Sequence, residues 1–178
     1  MQEMKILITG KPGIGKTTFI REIISATQVE WSGFYTRHIL ENNKRIGFRI
    51  ITMEGKTGIL AHVKYPGKNK VGKYKVNIND LESVAVGSVE NAIMEKKPLV
   101  IDEIGKMEIV SDKFRRIVQI ALNSNLSLIG SIAMAKEAYF NNIRKRGDVM
   151  VVELTDDNRR ILRTMILDLM KKDGILLV

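Results

Sequence analysis

Eight residues near the start of the chain have the types and the spacing of a phosphate-binding loop. Residues 10–17 read Gly-Lys-Pro-Gly-Ile-Gly-Lys-Thr and fit the Walker A pattern Gly-x-x-x-x-Gly-Lys-[Ser/Thr] without exception. The glycines let backbone N–H groups turn toward phosphate oxygens, which a Cβ atom would obstruct. In this pattern the lysine ammonium reaches the β- and γ-phosphates, and the hydroxyl is a ligand of Mg²⁺. We therefore expect Lys16 to bind nucleotide phosphates and Thr17 to bind Mg²⁺, beside the positive N-terminus of the following helix.

Two carboxylates follow an apolar run later in the chain. Residues 99–101 read Leu-Val-Ile, and Asp102 and Glu103 come directly after them. In P-loop enzymes an aspartate at this place (the Walker B position) holds Mg²⁺, so we expect Asp102 to do so. Glu103, one residue further, can polarise the water molecule that attacks the γ-phosphate. The alternative is an exposed acidic pair at a strand end, which the phosphate loop upstream makes less favoured.

Apolar runs and their spacing predict the elements that position these residues. Residues 5–9 and 99–102 are predicted to be buried strands, each leading into one of the two motifs. A helix is expected from Lys16 to about Thr27 because residues 19, 20, 23 and 24 form one apolar face. Further strands are predicted at residues 126–132 and 149–154, and further helices after the N-caps Asn79, Ser111 and Thr155 and at residues 136–145.

Residues 33–63 alternate between apolar and polar side chains instead of following a helical period. Strands at 33–40, 45–53 and 58–63 are separated by turn-forming residues and predict an antiparallel meander. A loop rich in lysine and turn formers is expected at residues 65–70. The remaining strands alternate with helices, which predicts a parallel sheet covered on both faces.

The fold class predicted from these elements is α/β, a three-layer P-loop NTPase sandwich with a mainly parallel sheet. The chain is expected to form a single domain over residues 1–178, with the meander inserted early, at about 33–63. One strand and one helix intervene between the phosphate loop and the acidic strand. This arrangement favours an order of the five main strands that is last, first, fourth, third, second, with one strand between the two motif strands.

The net charge of +9 is concentrated in one part of the chain. Residues 37–75 contain ten Lys or Arg and two Glu, a net charge of +8. Such a surface can bind nucleic acid, but we favour a solvated face and do not expect a nucleic-acid partner. The chain has no cysteine, which excludes disulfides and Cys-based metal sites. Its apolar runs are too short to span a bilayer, and the first five residues leave no room for a signal peptide, so we predict a cytoplasmic protein.

One longer run resembles a known family. Residues 102–108, Asp-Glu-Ile-Gly-Lys-Met-Glu, together with the phosphate loop, resemble the small thermophile-type nucleoside triphosphatases, relatives of the vertebrate cancer-related nucleoside triphosphatases. Lesser similarities lie at residues 33–36, 47–50, 113–115 and 154–159. The resemblance implies a stand-alone, Mg²⁺-dependent triphosphatase of broad nucleotide tolerance. The nucleotide-binding residues expected on this basis are Gly10, Lys11, Pro12, Gly13, Ile14, Gly15, Lys16, Thr17, Thr18, Leu99, Val100, Ile101, Asp102, Glu103, Ile104, Gly105 and Lys106.

The chain departs from the family pattern in two places. Position 11 is Lys where members have Glu, and residues 131–137 match the family pattern less closely, so no role is assigned to that segment. Lys106 has two interpretations, a second cation for the γ-phosphate or a surface lysine.

Several other residues are weaker candidates. Residues 144–146, Arg-Lys-Arg, resemble a mobile lid, although a solvated helix end is favoured. Residues 155–159 follow the last strand, where the base binds in many P-loop proteins, but Thr155 can equally be a helix cap. Trp31 is assigned to the core or to a strand edge rather than to base stacking, and His38 and His62 show no metal-binding pattern.

The function predicted from the sequence is hydrolysis of a nucleoside triphosphate to the diphosphate and phosphate, by a monomer. Lys16 and Glu103 are the predicted catalytic residues, and Thr17 and Asp102 the predicted Mg²⁺ ligands. Turnover is expected to be slow because no arginine finger is evident, and nucleotide choice loose because no Asn-Lys-x-Asp motif is present. The alternatives are a kinase of a nucleoside or nucleotide, which would not need Glu103, and a nucleic-acid-associated ATPase.

Overall fold

A nine-stranded sheet runs through the computed structural model, which describes residues 3–178. The strands are β1 (Lys5–Thr9), β2 (Ser32–Glu41), β3 (Lys44–Thr52), β4 (Thr57–His62), β5 (Lys70–Val71), β6 (Tyr74–Val76), β7 (Leu99–Ile104), β8 (Leu128–Ile132) and β9 (Met150–Glu153). The helices are α1 (Lys16–Ser25), α2 (Ile78–Asp80), α3 (Gly87–Met94), α4 (Asp112–Asn123), α5 (Ala138–Arg144) and α6 (Arg159–Lys172). A π-helical segment, Leu81–Val86, joins α2 to α3, and a 3₁₀ turn, Glu108–Val110, precedes α4.

The order of the strands across the sheet is β5-β6-β4-β3-β2-β7-β8-β1-β9. The five strands β2, β7, β8, β1 and β9 are parallel, and their order is the one predicted from the sequence. Strand β8 lies between β1, which leads into the phosphate loop, and β7, which carries the acidic pair. The predicted α/β fold with a strand between the two motif strands is confirmed.

The meander continues this sheet beyond β2 with antiparallel strands β3, β4, β6 and β5. The predicted basic loop, residues 65–70, ends where the β5–β6 hairpin begins, and this hairpin, which turns at Gly72 with φ +59°, lies in a segment for which no element was predicted. These two strands are only two and three residues long, too short for alternation to be recognised in the sequence.

Helices cover both faces of the parallel strands, and each face has its own apolar core. Phe34 and Phe114 belong to the core between the sheet and α3 and α4. Phe19 and Ile166 belong to the core between the sheet and α1 and α6. Neighbouring residues of β7 point alternately into the two cores, as expected for a strand that is buried on both faces.

Two of the three predicted helix caps lie elsewhere. Ser111 caps α4 as predicted, since its hydroxyl accepts the N–H of Phe114. The cap of α2 is Asn77 rather than Asn79, because Asn77 is the first residue after β6 and its side chain accepts the N–H of Asp80. Thr155 does not start α6. It exchanges two hydrogen bonds with Asn158 in a turn, and the helix begins only at Arg159.

Strand β1 has the predicted bounds, and the other boundaries lie within two residues of the predictions. Strand β7 is extended by two residues and continues through Asp102 to Ile104. Within residues 3–178 the structure contains no helix that combines the length and the apolar character needed to cross a bilayer. The signal-peptide prediction rests partly on residues 1–2, which lie outside the described part of the chain.

Candidate nucleotide-binding site

The phosphate loop connects the end of β1 to the start of α1. Gly15 is the N-cap of α1 and has φ +92°, a left-handed conformation that side chains rarely adopt. Lys16 Nζ donates a hydrogen bond to the carbonyl oxygen of Gly10 at 3.2 Å. The same ammonium lies 3.9 Å from Glu103 Oε2. The lysine therefore stands between the loop and the acidic strand, with its charge close to both.

Asp102 lies at the carboxyl-terminal part of β7 and is only 1% exposed. Its Oδ1 accepts a hydrogen bond from the hydroxyl of Ser131, at the equivalent end of β8. Burial raises the pKa of this carboxyl, while the hydroxyls of Ser131 and Thr17 and the charge of Lys16 act in the opposite direction. Oδ2 is buried and has no hydrogen-bond partner among residues 3–178. An unpaired buried carboxylate oxygen is a strong candidate for a cation ligand, since such atoms are rarely left unsatisfied.

Glu103 and Glu108 converge beside this aspartate. A Cβ atom on Gly105 would lie 2.6 Å from Glu103 Oε1 and 2.7 Å from Glu108 Oε2. Because glycine has no Cβ atom, the two carboxyls can occupy the space next to Gly105. The side chain of Glu103 is 32% exposed, whereas Glu108 is 4% exposed.

The environments of the two glutamates affect their pKa values to different degrees. Burial raises the pKa of Glu103, the Lys16 ammonium lowers it, and the charge of Asp102 raises it. The pKa of Glu108 is well above its ordinary value, because of burial first and the charge of Glu103 second. Glu108 is thus the carboxyl of this group that holds a proton most strongly.

Three residues that contribute to this arrangement were not in the predicted set. Ser131 bonds Asp102, and Glu108 is buried beside Glu103. Arg159, at the start of α6, donates to the carbonyl oxygens of Ile14 at 2.9 Å and Gly15 at 3.4 Å and so holds the end of the phosphate loop.

Sequence signals for these three residues were available but weak. Glu108 is the last residue of the 102–108 run, and Arg159 the last of the 154–159 similarity. Ser131 lies in the segment, residues 131–137, that matches the family pattern less closely, so only the structure identifies its contact.

Three of the predicted nucleotide-binding residues are buried and present no surface at the site. Leu99, Val100 and Ile101 are 0–1% exposed and pack in the two apolar cores. Their position on β7 supports Asp102 and leaves them no free surface for a nucleotide.

Lys106 forms an exposed ion pair with Glu137 at 3.1 Å, which agrees with the interpretation of this residue as a surface lysine. Trp31 is 5% exposed and donates to the hydroxyl of Thr27, in agreement with a core role.

The arginines of the suspected lid are held by backbone groups. Arg144 donates to the carbonyl oxygens of Ala133 and Ala135 in the loop after β8. Arg146 bonds Asp148 and the carbonyl oxygen of Leu122. Neither guanidinium is a freely solvated helix end, which corrects the favoured interpretation, and both are fixed on carbonyl groups rather than free to close over a ligand. Lys145 is exposed.

The donor set at this site fits Mg²⁺ better than a metal held wholly by protein side chains. Residues 3–178 contain no group of three or more His, Asp or Glu placed to hold a metal ion. Mg²⁺ is usually bound through one or two side-chain oxygens together with water and substrate phosphates. Asp102 Oδ2 and the hydroxyl of Thr17 provide such oxygens.

The strand order, the loop between β1 and α1, and the carboxylates at the end of β7 together define a P-loop nucleotide-binding protein. The sequence profile of a family described as NTPase matches residues 5–167. The crystal structure of THEP1 from Aquifex aeolicus superposes with a TM-score of 0.85 at 37% identity, covering 93% of this chain and 98% of that one. The solution structure of a human cancer-related nucleoside triphosphatase superposes with a TM-score of 0.79 at 31% identity, covering 95% and 98%.

A nucleoside-triphosphatase THEP1 from Thermotoga sp. strain RQ2 is 45% identical over 168 residues, which is 94% of this chain and 96% of the relative. The chain belongs to the NTPase family. The resemblance seen in the sequence, to small thermophile-type nucleoside triphosphatases, is confirmed.

Proposed function

We propose that the protein is a Mg²⁺-dependent nucleoside triphosphate phosphohydrolase, which cleaves the β–γ anhydride bond to give the diphosphate and phosphate. The observation that carries the proposal is the placement of Lys16 beside Glu103, next to an Asp102 whose Oδ2 is buried without a partner. The names of the relatives, nucleoside-triphosphatases from bacteria and mammals, support the same activity.

The phosphate loop binds the triphosphate through charge and backbone donors. Lys16 exchanges its contact with the carbonyl oxygen of Gly10 for the β- and γ-phosphate oxygens. The N–H groups of the loop and of the first turn of α1 add further donors at the positive end of that helix. Thr17 and Asp102 would hold Mg²⁺, which supplies positive charge to the phosphate oxygens when it is bound.

Glu103 is the proposed general base. Its side chain is partly exposed, so a water molecule can reach it, while the nearby Lys16 favours its ionised form. As the water oxygen attacks the γ-phosphorus, one of its protons passes to the Glu103 carboxylate and the nucleoside diphosphate leaves with the electrons of the broken P–O bond. The buried carboxyl of Glu108 lies on the side of Glu103 near Gly105 and limits where that side chain can move.

Slow turnover is part of the proposal. Arg159 donates to a carbonyl oxygen of the phosphate loop and Arg144 to one of the loop after β8, so both guanidinium groups are engaged by the backbone. An arginine finger adds on the order of 10³–10⁵ to the rate of such reactions, so without one we expect turnover below about 1 s⁻¹.

Loose nucleotide choice is also proposed, because the residues that carry the argument all act on phosphates. We expect ATP, GTP and the pyrimidine triphosphates to differ by less than about a hundredfold in kcat/KM, which corresponds to about 2.7 kcal/mol. A cytoplasmic monomer remains the proposed state of the enzyme, and a chain without cysteine suits that compartment.

A product assay with γ-labelled ATP tests the activity. The purified chain is incubated with Mg²⁺ and labelled ATP, first alone and then with nucleosides and nucleoside monophosphates as acceptors. The expected result is label in inorganic phosphate at the same rate with and without an acceptor. Label that moves to an acceptor, with little phosphate released, would establish a kinase instead.

A further inference from the structure

The meander has one covered face and one open face. Phe34, Ile50 and Leu60 point from β2, β3 and β4 toward α3 and the π-helical segment and are buried in the core. The other face, which we call the open face, presents Tyr35 and Arg37 of β2, Arg49 of β3, Lys75 of β6 and Lys70 of β5. Strand pairing places the cations in two pairs, Arg37 opposite Arg49 and Lys70 opposite Lys75. Strand β4 lies between the pairs and has Ile59 opposite Arg49 and His62 opposite Lys75.

Both of these cross-strand pairs join like charges. Directly opposed like charges destabilise a sheet, and a face that served solubility alone would be expected to mix the two signs. In the part of the chain that the structure describes, residues 3–178, none of the four side chains is in an ion pair. The open face therefore has four cations without an acidic partner. Unpaired cations of this kind are what a polyanionic ligand needs for binding.

An aromatic ring lies at the end of this row nearest α1. The guanidinium carbon of Arg37 is 5.6 Å from the centre of the Tyr35 ring, and that of Arg21, from α1, is 5.0 Å from it. Tyr35 is only partly buried. Both guanidinium groups lie over the ring, so this cluster is a cationic site for a phosphate, and a nucleobase can stack on Tyr35 where it takes the place of one guanidinium.

The row begins beside the nucleotide site. Strand β2 pairs with β7 through Ser32 to Phe34, the last pair being Phe34 with Ile101. Tyr35 follows at the level of Asp102 on the neighbouring strand, and Arg21 is one helical turn beyond Thr17. A ligand on the open face would therefore approach the end of the site that holds the candidate metal ligands.

The length of the row favours a strand of nucleic acid over a single nucleotide. Arg37, Arg49, Lys75 and Lys70 span the five strands β2-β3-β4-β6-β5. With neighbouring strands about 4.8 Å apart, the row is about 19 Å long. Duplex recognition uses an element that enters a groove, whereas a flat sheet face with an aromatic platform and a line of cations suits unpaired bases and their backbone. We propose that the open face binds single-stranded nucleic acid, with its phosphates along the arginine and lysine row.

Fluorescence anisotropy with the full chain and a labelled 20-nucleotide single-stranded RNA tests this proposal. Binding is measured from 50 to 300 mM salt for the wild type and for the double variant Arg37→Gln/Arg49→Gln. The matched control is Arg163→Gln/Lys171→Gln, which removes the same charge from exposed positions on α6. We expect the Arg37/Arg49 variant to bind at least tenfold more weakly at 100 mM salt. The slope of log K against log salt should fall by about 1.4, or 0.7 for each lost contact.

A second variant, Arg37→Lys/Arg49→Lys, keeps the charge and should retain most of the affinity, which separates lost contacts from a misfolded meander. Three outcomes would overturn the proposal. The first is that the wild type does not bind the RNA at 50 mM salt, and the second is that the α6 control loses as much affinity as the open-face variant. The third is binding to anionic lipid vesicles that depends on Arg37 and Arg49 when RNA binding does not, which would assign the face to a membrane surface.

Discussion

The parallel half of the sheet and the meander place their charges in opposite environments. The strands β1, β7 and β8 are buried on both faces. Asp102, near the end of β7, and Glu108, in the 3₁₀ turn that follows, are almost fully buried. On the open face of the meander, Arg37 and Arg49 are exposed to water. A charge in the first region interacts with few, fixed neighbours in a weakly screening interior, whereas charges in the second are screened by water and salt. Substitution of a single charged residue should therefore have a large effect in the parallel half. In the meander each charge should contribute little, and the effect should come from the sum of many charges.

The largest expected effect is on chemistry at the buried end of β7. Glu103→Gln keeps the size of the side chain but removes the carboxylate that accepts a proton from water. We expect hydrolysis to fall by roughly 10²–10⁴, the range for loss of a general base, while Mg²⁺·ATP binds with nearly wild-type affinity. Phosphate release and calorimetry measure the two effects separately.

Two other substitutions are the controls for this prediction. Glu137→Gln, at an exposed carboxylate in the neighbouring loop, should leave the rate nearly unchanged. Asp102→Asn should weaken both binding and its dependence on Mg²⁺. If Glu103→Gln hydrolyses ATP at the wild-type rate, Glu103 is only a strand-end carboxylate and the kinase alternative gains support.

The next effect in size is on binding at the phosphate loop. Lys16→Ala removes the ammonium that lies near the carbonyl oxygen of Gly10 and Glu103 and that is proposed to bind the phosphates. We expect a loss of about 1.5–3 kcal/mol, the value of a charged hydrogen bond. That is roughly a 10- to 150-fold rise in the Kd for Mg²⁺·ATP by calorimetry. Lys11→Ala, an exposed lysine of the same loop, should change the Kd little. Equal effects of the two substitutions would mean that net charge, and not the position of Lys16, governs binding.

The buried carboxyl of Glu108 predicts a pH dependence of stability. Its pKa is raised in the folded chain, above a value of about 4.3 in the unfolded chain. The folded state therefore holds the extra proton between these two values, and the free energy of unfolding of the wild type falls as pH rises through that window.

Glu108→Gln removes this proton. We expect the difference in unfolding free energy, variant minus wild type, to increase as the pH rises above about 4.3. Urea denaturation of the metal-free proteins from pH 4 to 8 measures it. Glu90→Gln, at an exposed carboxylate on α3, should show a flat difference. A flat difference for Glu108→Gln as well would show that Glu108 ionises as readily in the folded chain as in the unfolded one.

The two halves of the molecule also differed in how well the sequence predicted them. The strand order and the positions of Lys16, Asp102 and Glu103 followed from local patterns, because a glycine loop between a strand and a helix has few structural solutions. Ser131 and Arg159 could not be found this way. Each acts through a partner 29 or 145 positions away in the chain, Asp102 or Ile14, and such contacts exist only once the sheet is assembled.

The meander was predicted as three strands, but two further short strands, β5 and β6, were missed. Its excess of positive charge was recognised and assigned to a solvated face, which stays a prediction. The excess of Lys and Arg in residues 37–75 is visible in the sequence, whereas the direct pairing of Arg37 with Arg49 depends on the register of β2 and β3. That register includes a shift between Ile39 and Leu40, which no alternation pattern reports. The sequence thus supplied the amount of charge, and the fold supplied its arrangement.

The smallest expected effect is on the free energy of unfolding and concerns the opposed pair Arg37 and Arg49. Arg49→Thr removes one of two like charges that face each other across β2 and β3 and replaces it with a residue that favours strands. We expect the free energy of unfolding to rise by about 0.2–1 kcal/mol, the size of a cross-strand pair interaction, in urea denaturation at low salt. Arg49→Lys keeps the charge and should show no gain. Because repulsion between exposed charges is screened, the advantage of Arg49→Thr should shrink as salt approaches 1 M. If Arg49→Thr is instead less stable at low salt, the aliphatic part of Arg49 contributes more through packing than its charge costs, and the opposed arginines no longer argue for an absent polyanion.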